Sequence, residues 1–217
     1  MAAARPDDDI AGLLASHRSL LDDVRGTVTG DEVARRPSRL PDWSVGHVLT
    51  HLARNGDAMS RLVDGAAHGE EPAMYVGGPA GRAAAIEDGA GRTAFALLED
   101  LGASIARLEV ALETMPDGAW GNRAHISGTT VPAADLPRRR WIEVEVHRVD
   151  LGLGYEPSAW PTAFSQRQVD VLLPSLPDLL PDVVDPPDTA AHPSWAIAAW
   201  LLGRGTPDGL PEIDPWA

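Results

Sequence analysis

Four side chains in this sequence stand at spacings that suit metal chemistry. His47 and His51 are four residues apart, as are Glu143 and His147. On helices, each pair falls on one face, a single turn apart, so two facing helices could present four ligands. Imidazoles with a carboxylate suit zinc or another borderline divalent ion, and three protein ligands with one position left for solvent describe a catalytic site. The same spacing also describes an ordinary pair on a helix surface. Context bears on the choice, since His51 follows Val48 by three residues and Glu143 lies between Ile142 and Val144, beside apolar stripes. A carboxylate on an apolar face is costly without a partner, and either a bound cation or a neighbouring arginine would answer that need.

The elements that must position these residues follow from periodicity. Ile10, Leu13, Leu14, Leu20, Leu21 and Val24 recur at helical spacing behind three aspartates, which predicts a first helix over residues 8–25 stopping at Gly26. Ser44 is a good cap for a second helix over 45–66, whose stripe runs from Val45 through Leu52 to Val63. A Gly- and Pro-rich loop with a short helical piece over 82–88 precedes a third long helix over about 93–115, stopped at Pro116-Asp117-Gly118. Residues 120–131 read as an irregular connection, and 133–149 as a fourth helix with Pro137 in its first turn. Four long helices predict a mainly α protein, an up-and-down four-helix bundle over residues 1–158. From 159 the many prolines argue against a further long regular helix and for a small mixed α/β C-terminal subdomain over 159–217, with one short apolar helix over Ser194–Leu202.

Composition narrows the function. With no cysteine, the chain offers neither disulfides nor a thiolate ligand nor a thiol nucleophile of its own. All 18 basic residues are arginine, so Schiff-base chemistry and a Walker-type phosphate loop are excluded. A net charge of −14 argues against nucleic acid or an anionic membrane as partner. An anionic substrate must therefore be held by particular arginines. The acidic N-terminus does not have the order of a secretory signal, which predicts a cytoplasmic protein. No G-x-S-x-G, H-E-x-x-H or complete G-x-G-x-x-G motif is present.

The segments LPDWSVGHVLTHLARNGDAMSRLV and RRRWIEVEVHRVDLGLGYEPSAW resemble two segments of the mycothiol-dependent maleylpyruvate isomerase family. GGPAGRAAAIEDGAGR and AAWLLGRG resemble two more, so the likeness covers most of residues 10–160 and a short piece near the end. It implies a DinB-like bundle in which one histidine eight residues after a tryptophan, together with Glu-x-x-x-His, holds a divalent metal, zinc by expectation. Those motif positions are His51, after Trp43, and Glu143 with His147. His47, one turn earlier, is then a structural or supporting residue. The likeness also implies mycothiol as coenzyme, a small unsaturated diacid as substrate, and a place in aromatic catabolism in an actinobacterial cytoplasm.

Arg82, after the Gly-rich loop, and Arg204, at the end of WLLGR, are the candidates for binding substrate or thiol. Arg204 resembles an arginine that the family uses near its substrate, which makes it the first choice for a catalytic role, although an arginine ending a helix also suits the local dipole. Arg92 stays open, and Asn55, one turn past His51, either supports the site or bonds at the surface. Glu145, half a turn from the Glu143 face, is expected in solvent or paired with an arginine rather than as a ligand. Three functions fit these residues: a thiol-dependent cis–trans isomerase, a thiol transferase acting on electrophiles, or a module that uses the metal as a staple. The resemblance favours the isomerase. The C-terminal region is short and interrupted by DPPDTAAHP, which suggests a trimmed sterol-carrier-like domain.

Overall fold

The computed structural model describes residues 3–126, 128–179 and 188–213. The chain forms two compact units, Met1–Leu153 and Gly154–Ala217. Unit one begins with α1 (Asp7–Thr27), whose first turn carries Asp7, Asp8 and Asp9 at the positive end of the helix dipole. A short α2 (Asp31–Ala34) and an extended turn lead to α3 (Val45–His68). Then come α4 (Gly78–Ala90), α5 (Ala94–Thr114), an antiparallel hairpin of β1 (Arg123–Ile126) and β2 (Thr129–Pro132), and α6 (Leu136–Asp150).

The long helices α1, α3, α5 and α6 make the predicted bundle. Contacts run from α1 to α5, α5 to α3, α3 to α6 and α6 back to α1. Helices α1 and α3 therefore sit across a diagonal, and α6 is clamped between them. One side of α6 buries Trp141 against α1, where Gly12 has no room for a side chain: a Cβ there would lie 2.2 Å from the indole. The other side faces α3, whose Val48, Leu49, Leu52, Met59 and Leu62 are all fully or nearly buried. Helix α4 packs on α3 just as closely, because Gly46 leaves space for the Ala90 carbonyl, 2.3 Å from where its Cβ would be.

Several elements differ from the sequence reading. The helical piece expected over 82–88 is a full helix from Gly78 to Ala90, started by left-handed Gly77 (φ 75°) with Pro79 in its first turn. The connection over 120–131 contains the β hairpin, whose four-residue strands are too short to show an alternation by sequence alone. In unit two, α7 (Thr162–Leu172) is an 11-residue helix where the prolines argued against one. It fits because Pro161 and Pro174 flank it, and a proline just before a helix or past its end removes no internal hydrogen bond. Helices α8 (Leu176–Leu179) and α9 (Ser194–Leu201) follow, and Leu176, Ile197, Trp200 and Leu201 form a local core. The described residues of this unit contain helices and no strand, and the first three residues of the DPPDTAAHP break, 185–187, lie outside them. Trp141 and Trp200 are core residues, while Trp195 is 38% exposed.

Candidate metal centre

The first turn of α3 sets the site's geometry. Ser44 Oγ accepts the His47 backbone N–H at 3.3 Å, and His47 Nδ1 accepts the Ser44 backbone N–H at 3.1 Å, closing a reciprocal cap. The His47 ring is thereby committed to the helix end, stacks on Trp43 and turns its Nε2 towards Glu87 at 3.4 Å. One turn on, His51 is 2% exposed and meets Trp43 edge-on with ring centroids 5.7 Å apart. Helix α6 brings Glu143 and His147 to the same point from the other side.

The three side chains converge. His51 Nε2 lies 3.0 Å from Glu143 Oε2 and 3.0 Å from His147 Nε2, and His147 Nε2 lies 3.4 Å from Glu143 Oε2. Three donors about 2.0–2.1 Å from a tetrahedral zinc would stand about 3.3 Å from one another, so this triangle has the size the ion requires. Among the described residues this is the one group of three or more such side chains close enough to share an ion. Among the described residues Glu143 has two histidines as its ion-pair partners and no arginine, which leaves the cation as the better answer to its position beside the core.

Electrostatics distinguish the two imidazoles. Burial pushes His51 down to about 4, against the opposing pull of Glu143. For His147, burial also favours the neutral ring, but hydrogen bonds to Asp150 and Glu143 outweigh it and raise the pKa. Burial alone would raise the Glu143 carboxyl, and hydrogen bonds from His147 and His51 instead hold it well below the usual carboxylate range. Asp150, 1% exposed, accepts from His147 Nδ1 at 2.8 Å, which leaves the Nε2 lone pair pointing into the triangle. This is the outer partner a metal-binding histidine needs. Asp150 lies three residues after His147 in the sequence, a helical spacing that could have identified it.

Arg82 stands on the other side of His51, its Nη2 3.2 Å from Nδ1. Its guanidinium also lies over the Tyr75 ring, 5.8 Å from the centroid. Arg92 does not join the site; it pairs with Asp100, which also takes Arg54. Asn55 is buried rather than at the surface, and accepts from Arg140 Nη1 at 2.9 Å. Arg140 is itself fully buried, donating also to the Leu52 carbonyl at 2.9 Å, with its Nε 3.4 Å from His17 Nε2. Neither Arg140 nor Tyr75 was singled out by the sequence, since a lone tyrosine in a Gly-rich loop and one arginine of three in a row carry no pattern. Glu145 is fully buried, not solvated, and accepts from Ser16 on the α1 side of α6. Arg204 belongs to the second unit, where its guanidinium donates to the Leu202 and Gly203 carbonyls, each at 3.2 Å.

A part-buried His–Glu–His triangle on two helices marks this four-helix bundle as one that could hold a metal ion. Residues 3–152 match the family model described as the mycothiol maleylpyruvate isomerase N-terminal domain, and the chain belongs to that family. The fold is similar to the crystal structure of the mycothiol-dependent maleylpyruvate isomerase, with a TM-score of 0.82 and 22% identity, covering 97% of each chain. A histidine-to-alanine mutant of that enzyme matches equally, at 0.82 and 22%. No curated protein sequence matches this chain. No helix among the described residues is long and apolar enough to cross a membrane.

Proposed function

We propose that the protein is a metal- and thiol-dependent cis–trans isomerase that converts maleylpyruvate to fumarylpyruvate with mycothiol as coenzyme. The observation that carries this reading is the triangle of His51, Glu143 and His147, sized for zinc and made of three ligands, which leaves a fourth position for an exogenous group. A zinc ion at these residues would supply a thiolate from the bound thiol, and reversible addition of that thiolate to the cis double bond allows rotation before the trans product is released. A chain without cysteine suits such a borrowed nucleophile.

The protein's own residues have separable tasks. His51, Glu143 and His147 hold the ion, and Asp150 keeps the His147 lone pair aimed at it. Trp43 covers the His51 edge and helps exclude water. Arg82 is placed to meet a substrate or thiol carboxylate with its planar fork, and Arg204 is proposed as a second anion contact with a catalytic role. The protein works in the cytoplasm on small molecules.

Metal analysis of the purified protein beside His51→Ala and Glu143→Ala tests the site, with the expected result that both variants lose bound metal. Unchanged metal content in both would remove the basis of the reading. Incubation with mycothiol and maleylpyruvate tests the reaction. Fumarylpyruvate with the thiol recovered supports the isomerase, whereas stoichiometric thiol consumption makes the protein a transferase instead.

A further inference from the structure

A chain of polar contacts runs from the buried interior of the bundle to the edge of the metal centre. Arg140 can only donate, so its Nη1, 2.9 Å from Asn55, fixes the near atom of that amide as Oδ1. The amide nitrogen of Asn55 is therefore turned the other way, where it lies 3.5 Å from the Tyr75 hydroxyl and donates to it. Asn55 is 1% exposed and Arg140 is fully buried, so neither can easily turn over. Arg61 Nη1 pins the loop that carries Tyr75, donating to the Met74 carbonyl at 2.8 Å. Tyr75 receives a hydrogen bond from Asn55 and lies against the Arg82 guanidinium, and its own proton has no acceptor among the described residues. A phenol held in this way presents a single donor on the Arg82 side of the site.

We propose that Tyr75 is a further catalytic residue, donating its hydroxyl hydrogen bond to an anionic oxygen of the bound ligand, with Asn55 and Arg140 as the positioning residues that aim it. In the proposed isomerisation, on which this assignment rests, that oxygen is the substrate carbonyl next to the conjugated double bond. When a nucleophile adds to the double bond, the π electrons move onto this oxygen, and they return when the nucleophile departs. A preorganised donor at the oxygen stabilises the charge while it is present.

The test uses the full-length zinc-loaded protein and two readouts. One is turnover of maleylpyruvate with mycothiol; the other is calorimetric binding of acetohydroxamate, an anionic zinc ligand that needs no reaction. Tyr75→Phe, which keeps the ring beside Arg82, is expected to lower kcat about 100-fold with little change in KM, and to weaken acetohydroxamate about 10-fold or more. Zinc content should not change. Asn55→Asp replaces the N–H aimed at Tyr75 with an acceptor that draws the phenol proton inward. It should reproduce the Tyr75→Phe losses, and the double variant should be no worse than either single one within about twofold. If wild type turns over nothing but Tyr75→Phe still weakens acetohydroxamate, the isomerase reading falls and the donor assignment stands. A protein that takes up no zinc, or a Tyr75→Phe variant whose acetohydroxamate affinity stays within twofold of wild type, overturns the assignment.

Discussion

His17 gives the most direct test of how the interior of this bundle handles charge. It is fully buried, with Nε2 3.4 Å from Arg140 Nε and Nδ1 3.0 Å from Glu109 Oε1. Since arginine only donates, Nε2 must accept and Nδ1 carries the proton, so the ring is neutral and a second proton would face a guanidinium. Burial foremost, with Arg140 adding to it, pushes His17 from 6.5 down to about 4. A group depressed in this way binds fewer protons folded than unfolded, so stability is lost as pH falls from 6.5 towards 4. At pH 5.0 the unfolded ring is almost fully protonated and the folded one almost not, which costs about 2 kcal/mol relative to pH 8. His17→Gln retains an acceptor for Arg140 and a donor for Glu109 but does not titrate. Urea unfolding followed by far-ultraviolet circular dichroism, at pH 8.0 and 5.0 with EDTA present, separates this effect from the rest. His51, Glu143 and His147 titrate alike in both proteins and cancel in the comparison. Wild type should lose about 2 kcal/mol more than the variant between the two pH values, whatever their relative stability at pH 8. Equal losses would refute the argument that His17 is held neutral by burial.

Three further outcomes concern the centre. Asp150→Asn removes the charge behind His147 and should weaken zinc about 10- to 100-fold in a chelator competition, and an unchanged affinity would show that His147 needs no such partner. Coordination through His51 Nε2 places that ring's proton on Nδ1, where it would confront Arg82 Nη2, 3.2 Å away in this structure. Arg82→Met removes both that conflict and a positive charge, so it should bind zinc several-fold more tightly while raising KM for the diacid about 10-fold or more; weaker zinc binding would reverse the assigned sign. Arg204→Met should lower turnover about 100-fold at full zinc content, and an activity within twofold of wild type would remove Arg204 from the reaction.

The parts of the structure visible in the sequence are those governed by short-range periodicity. The four long helices show it because each has one face that must be apolar. Glu143 and His147 show it because four residues make one turn. The pairing of His51 with α6 is different in kind: residues 92 and 96 positions apart meet only through tertiary packing, and the matched motifs rather than any spacing pointed to it. The hairpin over 123–132 and the full length of α4 were missed because short strands and a Gly-rich helix carry too few apolar residues to declare a period. The solvent-facing alternative for Glu145 fails for a related reason. Half a turn from the Glu143 face means solvent on an amphipathic helix, but α6 is buried on both sides, and Ser16 of α1 supplies the partner that burial demands.

That double burial also explains why the centre can be built at all. A helix with one free face can let a carboxylate relax into water, and a metal is then only one of several stable arrangements. Helix α6 offers no such exit to the residues that matter: Trp141 and Glu145 are locked against α1, and Arg140 is held by the Leu52 carbonyl and Asn55 of α3. With its rotation fixed on both sides, α6 must present Glu143 and His147 to His51, and Glu143 is left with imidazoles for partners. A part-buried carboxylate facing two histidines, one kept neutral by burial and the other oriented by Asp150, gains from a shared cation. The packing of residues remote from the triangle is thus what brings the three side chains together as a group that could hold a metal ion, where the spacing alone would also have allowed an ordinary surface pair.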